Sequence, residues 1–163
     1  MIVGRIRLHA DNDVTGPVAE FVGFLSRQAG LTARQSYRLR LAVDEITTNV
    51  VLHGYRDGRR GVVDVEGGIE DDRVWVRIED DAPPFDPKSH QPAIRTSEEA
   101  PNPPTEGGYG LFLAFSNVDE FAYDHVGGRN QNTLIMSRIA PGVGAGGTEG
   151  CNRDGRDTSI GRR

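Results

Sequence analysis

Three stretches of this chain carry side chains whose types and spacing suit work on a phosphorylated ligand. The first holds Glu45 and Asn49, four residues apart within the run Leu39 to Tyr55. Read as a helix at about 100° per residue, that run gathers Leu39, Ala42, Val43, Ile46 and Val50 on one apolar stripe, with Glu45 and Asn49 beside it one turn apart. An acid is thereby set at the margin of a core, where acids seldom lie without a partner. The second stretch ends in Asp80, which shares strand parity with Val74, Val76 and Ile78 and so leaves the sheet on the face those aliphatics bury. Unpaired there, a carboxylate costs about 3 kcal/mol or more, and it therefore calls for a partner or a ligand. The third is Gly107-Gly108-Tyr109-Gly110, just ahead of a helical pattern. Its backbone can approach a ligand closely, and the free N–H groups and positive dipole end of the helix behind it favour phosphate.

Each stretch has an ordinary alternative: a surface acid beside an edge asparagine, a strand end with a local partner, a flexible loop that caps a helix. Taken together they divide a nucleotide sensibly. Asp80 can accept from an exocyclic amine such as that of adenine, and the apolar stripe can cover the base. The glycine-rich helix start takes the phosphates. Asn49 offers a neutral oxygen to a hard cation such as Mg²⁺, which keeps several waters and bridges phosphate oxygens. Glu45 can then orient or deprotonate a nucleophile directed at the terminal phosphate.

The elements that must position these groups are legible in order. Residues 2 to 8 alternate as a half-buried strand, with Ile2, Gly4, Ile6 and Leu8 on one side. Pro17 suits the first turn of a helix marked by Val18, Phe21, Val22 and Leu25, and Gly30 stops it. Thr32 and Gln35 form a capping-box pattern that opens the central helix, which Gly54 ends before a turn at Asp57-Gly58. Residues 62 to 69 and 73 to 80 read as an antiparallel pair. The segment from Ala82 to Thr105 holds seven prolines and no sustained periodicity, as a lid or a disordered segment would. We place the lid at about residues 86–106. A short helix follows with Leu111, Ala114, Phe115 and Val118, then two strands near 119–124 and 132–139 around a Gly127-Gly128 hairpin. The expected fold is α+β: a two-layer sandwich whose mixed, mostly antiparallel sheet of about five strands carries its helices on one face.

Composition narrows the function classes. The 163 residues suit one domain, assigned to 1–140, followed by a Gly-rich tail over 141–163 with little to bury and expected to be disordered. The formal charge is −5, and the tail carries four Arg against three acids, so the body before it stands at −6. An acidic body argues against nonspecific nucleic-acid binding, although Arg34, Arg38 and Arg40 make a local basic cluster, read as a solvated helix face. Cys151 stands alone, which excludes a disulfide framework and cysteine-based metal spacing and fits a reducing compartment. The first residues lack the build of a signal peptide and no apolar run reaches membrane-spanning length, so a cytoplasmic protein is expected.

Glu45-x-x-x-Asn49 with His53 and Tyr55, then Asp80-Asp81-Ala82-Pro83-Pro84-Phe85-Asp86-Pro87, then Gly107-Gly108-Tyr109-Gly110-Leu111, resemble the N, G1 and G2 boxes of the GHKL ATPase/kinase superfamily. The Pro-Phe-Asp-Pro ending narrows the resemblance to anti-sigma serine kinases of the RsbW/SpoIIAB type, over about residues 5 to 140. It implies a Bergerat-type ATP site, with Asn49 as Mg²⁺ ligand, Glu45 as catalytic carboxylate, Asp80 as adenine reader, and Gly108 and Gly110 in the phosphate loop. Ala82, Phe85, Gly107, Tyr109 and Leu111 join the nucleotide site on the same basis, and His53 is given a packing or hydrogen-bonding role. The implied partners are a sigma factor and an anti-anti-sigma protein of the STAS type, whose serine accepts the phosphoryl group, with a homodimer possible. One departure stands out: the family has Gly where this chain has Ala82, which should narrow the approach of backbone to base.

Two further functions compete with an ATP-dependent protein serine kinase that also binds regulatory partners. One is a nucleotide-gated binding module without phosphoryl transfer, against which the intact Glu45 speaks. The other is a detached ATP-binding domain serving a histidine kinase, ranked last because the sequence contains no phosphoacceptor helix.

Overall fold

A computed structural model describes residues 1–10, 13–55, 60–90 and 108–138. The Asp57-Gly58 turn, most of the proposed lid, Gly107 and the tail lie outside those residues.

Strand β1 (Ile2–His9) leads into helix α1 (Thr15–Ala29), helix α2 (Ala33–Asn49) and a π-helical turn over Val50–Gly54. Strands β2 (Val62–Ile69) and β3 (Arg73–Asp80) follow, then a 3₁₀ turn (Pro87–His90), helix α3 (Gly108–Ser116), and strands β4 (Glu120–Val126) and β5 (Arg129–Ser137). The five strands form one sheet in the order β1-β2-β3-β5-β4. Every pairing is antiparallel.

Local chemistry accounts for the boundaries. Gly30 closes α1 in the left-handed region at φ 67°, where its N–H bonds Arg27 O. The Thr32–Gln35 capping box is formed in both directions, Gln35 N to Thr32 Oγ1 at 3.2 Å and Thr32 N to Gln35 Oε1 at 3.0 Å. Gly127 and Gly128 both have positive φ (60° and 78°), which gives the two-residue hairpin its twist and lets β5 begin at once, at Arg129. For that reason β5 starts three residues before the expected 132, and β4 runs on to Val126.

The core lies between the helices and one face of the sheet. Val18, Val22 and Leu25 from α1 and Leu39, Val43 and Ile46 from α2 are fully buried against Val63, Val65, Val74, Val76, Ile78, Leu134 and Met136. On the other face the alternate residues are mostly polar or charged, with Trp75 and Ile135 among them. Asp64 is only 2% exposed there because three arginines fold over it: Arg7 Nε at 2.8 Å, Arg129 Nη2 at 2.9 Å and Arg5 Nη2 at 3.0 Å. Parity thus sends apolar side chains to one layer and an ion cluster to the other, leaving the end of the sheet at Asp80 as the place where polar groups enter the helical side. Among the described residues no helix is long and apolar enough to cross a membrane.

Candidate functional site

Asp80 ends β3 opposite Val63 on β2 and Asn130 on β5, and it is 1% exposed. Its Oδ1 is filled: Asn130 Nδ2 donates at 2.8 Å and the Ala82 N–H at 3.0 Å. Its Oδ2 is buried and accepts nothing among the described residues. Burial pushes the carboxyl pKa up, and the bonds from Asn130 and Ala82 hold it down in part.

The loop after Asp80 is fixed from two sides. Asn130 Nδ2 also reaches Ala82 O (3.1 Å) and Pro83 O (3.2 Å), while its Oδ1 accepts from Tyr123 Oη (2.8 Å) and Phe85 N (3.2 Å). On the opposite side Tyr55 Oη donates to Asp81 Oδ1 at 2.6 Å and accepts from Asp81 N at 3.3 Å. The short bond holds the Asp81 carboxyl below its usual range, and burial with that same bond raises the Tyr55 phenol well above its own.

Asp80, Asn130 and the 82–85 loop border a cavity of about 150 Å³. Ile46, Asn49, Val50, His53 and Gly54 form its helical wall, Ala82 to Phe85 with Pro87 form the loop wall, and Asp80, Asn130 and Asn132 form the floor. The π-helical turn brings His53 and Gly54 to this wall, in keeping with the frequent use of such turns at functional sites. Ala82 is buried, and its methyl lies where a side chain on Gly54 would stand, 2.8 Å from the Cβ that residue lacks. The methyl that departs from the family pattern is therefore accommodated on the helix side.

A second hollow, of about 290 Å³, is lined by Glu45, Thr48, Asn49, Leu52, His53, Gly110 and Leu111. Asn49 and His53 border both hollows, so the two adjoin as parts of a cleft with Asp80 in one and Glu45 in the other. Glu45 is half-buried, and burial first, then the neighbouring Asp44, raises its pKa. Its carboxylate lies against Gly110, where a methyl group would collide with it.

Of the residues singled out from sequence, Asn49, Asp80, Ala82 and Phe85 meet at the first hollow and Glu45, Asn49, Gly110 and Leu111 at the second. Gly108, Tyr109 and Gly110 form the first turn of α3, not a loop ahead of it. Those first-turn N–H groups still have no partner within the helix, so the capacity for phosphate is kept. Tyr109 is 58% exposed and lines neither hollow. Sequence reasoning missed Asn130, Asn132 and Tyr123. The parity that assigned Asp80 would have found the asparagines, because Leu134 and Met136 on β5 point inward and Asn132 and Asn130 continue their series.

The description "Histidine kinase-like ATPase domain" belongs to the family model that matches residues 8–138. The serine-protein kinase RsbW of Bacillus velezensis is 31% identical over 118 residues, spanning 71% of this chain and 74% of that relative. The chain belongs to the RsbW family of serine-protein kinases. RsbW of Bacillus subtilis is 32% identical over 110 residues, 62% of this chain and 69% of its own. The crystal structure of the RsbU and RsbW domains of Rv1364c from Mycobacterium tuberculosis matches with a TM-score of 0.55 at 20% identity, over 85% of this chain and 34% of that one, a likeness of fold.

The cleft suits the ATP that a histidine kinase-like ATPase domain binds. It offers a buried orphan acceptor at one end, an apolar wall, and a helix start that a side chain would block at the other. Among the described residues no group of three or more His, Cys, Asp and Glu could cage a metal ion. A cation held at Asn49 would rest mainly on phosphate oxygens and water, the habit of Mg²⁺.

Proposed function

We propose that this RsbW-family chain transfers the γ-phosphoryl group of ATP to a serine of an anti-anti-sigma (STAS-domain) protein, and that it binds and sequesters a sigma factor in the cytoplasm. The observation that carries the proposal is the pair of adjoining hollows, with Asp80 Oδ2 unfilled in the first and Glu45 over Gly110 in the second. In this assignment Asp80 accepts from the adenine amine, Ile46, Val50 and Phe85 cover the base, and the α3 start receives the phosphates. Asn49 would hold Mg²⁺, which would supply charge neutralisation for the phosphates.

Glu45 then acts on the acceptor. It takes the proton of the serine hydroxyl as that oxygen bonds to the γ-phosphorus, while the bond to the bridging oxygen breaks and ADP leaves with that electron pair. Burial lifts the Glu45 pKa toward the range in which a carboxylate is an effective base. Phosphoryl transfer is preferred over nucleotide-gated binding alone because the Glu45 carboxylate stands against the helix start given to the phosphates, where its charge would oppose their binding and is useful only for acting on the acceptor.

The test is transfer from γ-labelled ATP to the cognate STAS-domain protein captured by pull-down. Glu45→Ala should keep ATP binding and lose transfer, whereas Asn49→Ala should weaken Mg·ATP binding itself. Full transfer by Glu45→Ala would overturn the role given to this acid.

A further inference from the structure

β5 carries two asparagines, two residues apart, on the face turned toward the helices, and the fold uses them in opposite ways. Asn130 has both ends of its carboxamide committed, to Asp80, the 82–85 loop and Tyr123. Asn132 is 2% exposed, its Oδ1 is buried with no partner, and no described residue pairs with either end of its carboxamide. It nevertheless lines the same cavity as Asp80. It stands opposite Ile78 on β3 and Tyr123 on β4, one diagonal step from Asp80, close enough for both side chains to reach one planar group. A buried amide left unpaired is a standing loss of stability, and a polar group so placed has its explanation in a ligand.

The unfilled valences define that ligand. The cavity floor offers one open carboxylate oxygen and one open carboxamide, hence two acceptors and a donor, under an apolar roof. A carboxylate with both oxygens open would suit the adjacent N–H groups of guanine. Here Oδ1 already holds two bonds, so Asp80 can accept only through Oδ2. Adenine fits what is left: its exocyclic amine has two N–H donors, each beside a ring nitrogen that accepts. An asparagine carboxamide pairs with one such N–H and its ring nitrogen together, the pattern by which Asn reads adenine.

We propose that Asn132 is a second base-reading residue, which receives one amine hydrogen of adenine and donates to the adjacent ring nitrogen while Asp80 Oδ2 receives the other hydrogen. Guanine would turn a carbonyl oxygen toward these acceptors and leave them buried and unpaired. Asn132 thereby sets adenine over guanine, an assignment that rests on ATP occupying this cleft.

The test titrates the full chain, as wild type, Asn132→Leu and Asn132→Asp, with Mg·ATP, Mg·GTP and the triphosphate of purine riboside, which lacks the amine. The wild type should bind ATP well above the other two. Asn132→Leu should lose about 10- to 100-fold of its ATP affinity while its affinities for the other two change by less than about threefold, so that the selectivity collapses. Asn132→Asp, of the same size but without the amide donor, should lose at least about tenfold for ATP and stands in if the leucine variant fails to fold. Unchanged ATP affinity in the folded variant, or an equal loss for all three nucleotides, would overturn the assignment of Asn132 with the ATP site intact. A wild-type chain that binds no ATP would overturn the site and this inference together.

Discussion

Replacing Asn130 with alanine should loosen the base end of the cleft. Asn130 is 3% exposed and joins five partners through one carboxamide. Its bond to the Asp80 carboxylate, at 2.8 Å, is the strongest, and hydrogen bonds to charged groups contribute about 2 kcal/mol. The Tyr123 bond at 2.8 Å adds about 1 kcal/mol, whereas the contacts to Ala82 O, Pro83 O and Phe85 N are longer and share atoms, so together they count as about one more bond. The sum is about 4 kcal/mol, and uptake of a proton by Asp80 would return part of it, for a net loss near 3 kcal/mol against the 5–15 kcal/mol typical of a domain. Urea denaturation of the nucleotide-free chain measures this directly: the midpoint should fall at an unchanged slope. Because Asn130 helps hold the Asp80 carboxyl down, the pH below which ATP affinity fades should also move upward in the variant. An unchanged midpoint would refute the assignment of Asn130 as the tie between β5 and the Asp80 loop.

Three further outcomes follow from the same geometry. Gly110→Ala should displace the Glu45 carboxylate and cut transfer by about 100-fold or more, as loss of a general base does, with the far-ultraviolet circular dichroism unchanged. Affinity for ATP should weaken as the pH is lowered from neutral, because a proton on Asp80 Oδ2 stops it from accepting; burial raises that pKa, so the decline should begin above the usual carboxylate range and disappear in Asp80→Asn. Burial alone would raise Asp64, but Arg7, Arg129 and Arg5 hold it well below the usual range, so its contribution to stability is present above the unfolded pKa of about 3.9 and is lost as the pH falls toward the folded one. The stability gap between wild type and Asp64→Asn, about 2 kcal/mol at neutral pH, should therefore close in acid, as chemical denaturation across a pH series would record.

How much of this could be read from the sequence depended on whether a group is placed by its own element or by a neighbour. Asp80 was legible because strand parity alone turns it inward, and Glu45 and Asn49 because helical spacing alone stacks them. The Thr32–Gln35 box and the Gly127-Gly128 turn are local signals of the same kind. Asn130 escaped because a two-residue turn makes Arg129 the start of a strand whose aliphatics begin only at Leu134. The accommodation of Ala82 by Gly54 and the approach of Gly110 to Glu45 join elements distant in sequence, and no periodicity reports such meetings. Asp64 reads as an outward acid until the order β1-β2-β3-β5-β4 brings Arg5, Arg7 and Arg129 around it.

Calorimetric titration of the intact chain with Mg·ATP tests the account at its centre. A saturable heat corresponding to one nucleotide per chain is predicted for the wild type, together with its loss in Asp80→Ala, whose fold should persist because Asn130 keeps its bonds to Ala82 O, Pro83 O and Tyr123. A wild-type chain that gives no heat, or an Asp80→Ala chain that binds ATP as tightly as the wild type, would contradict it.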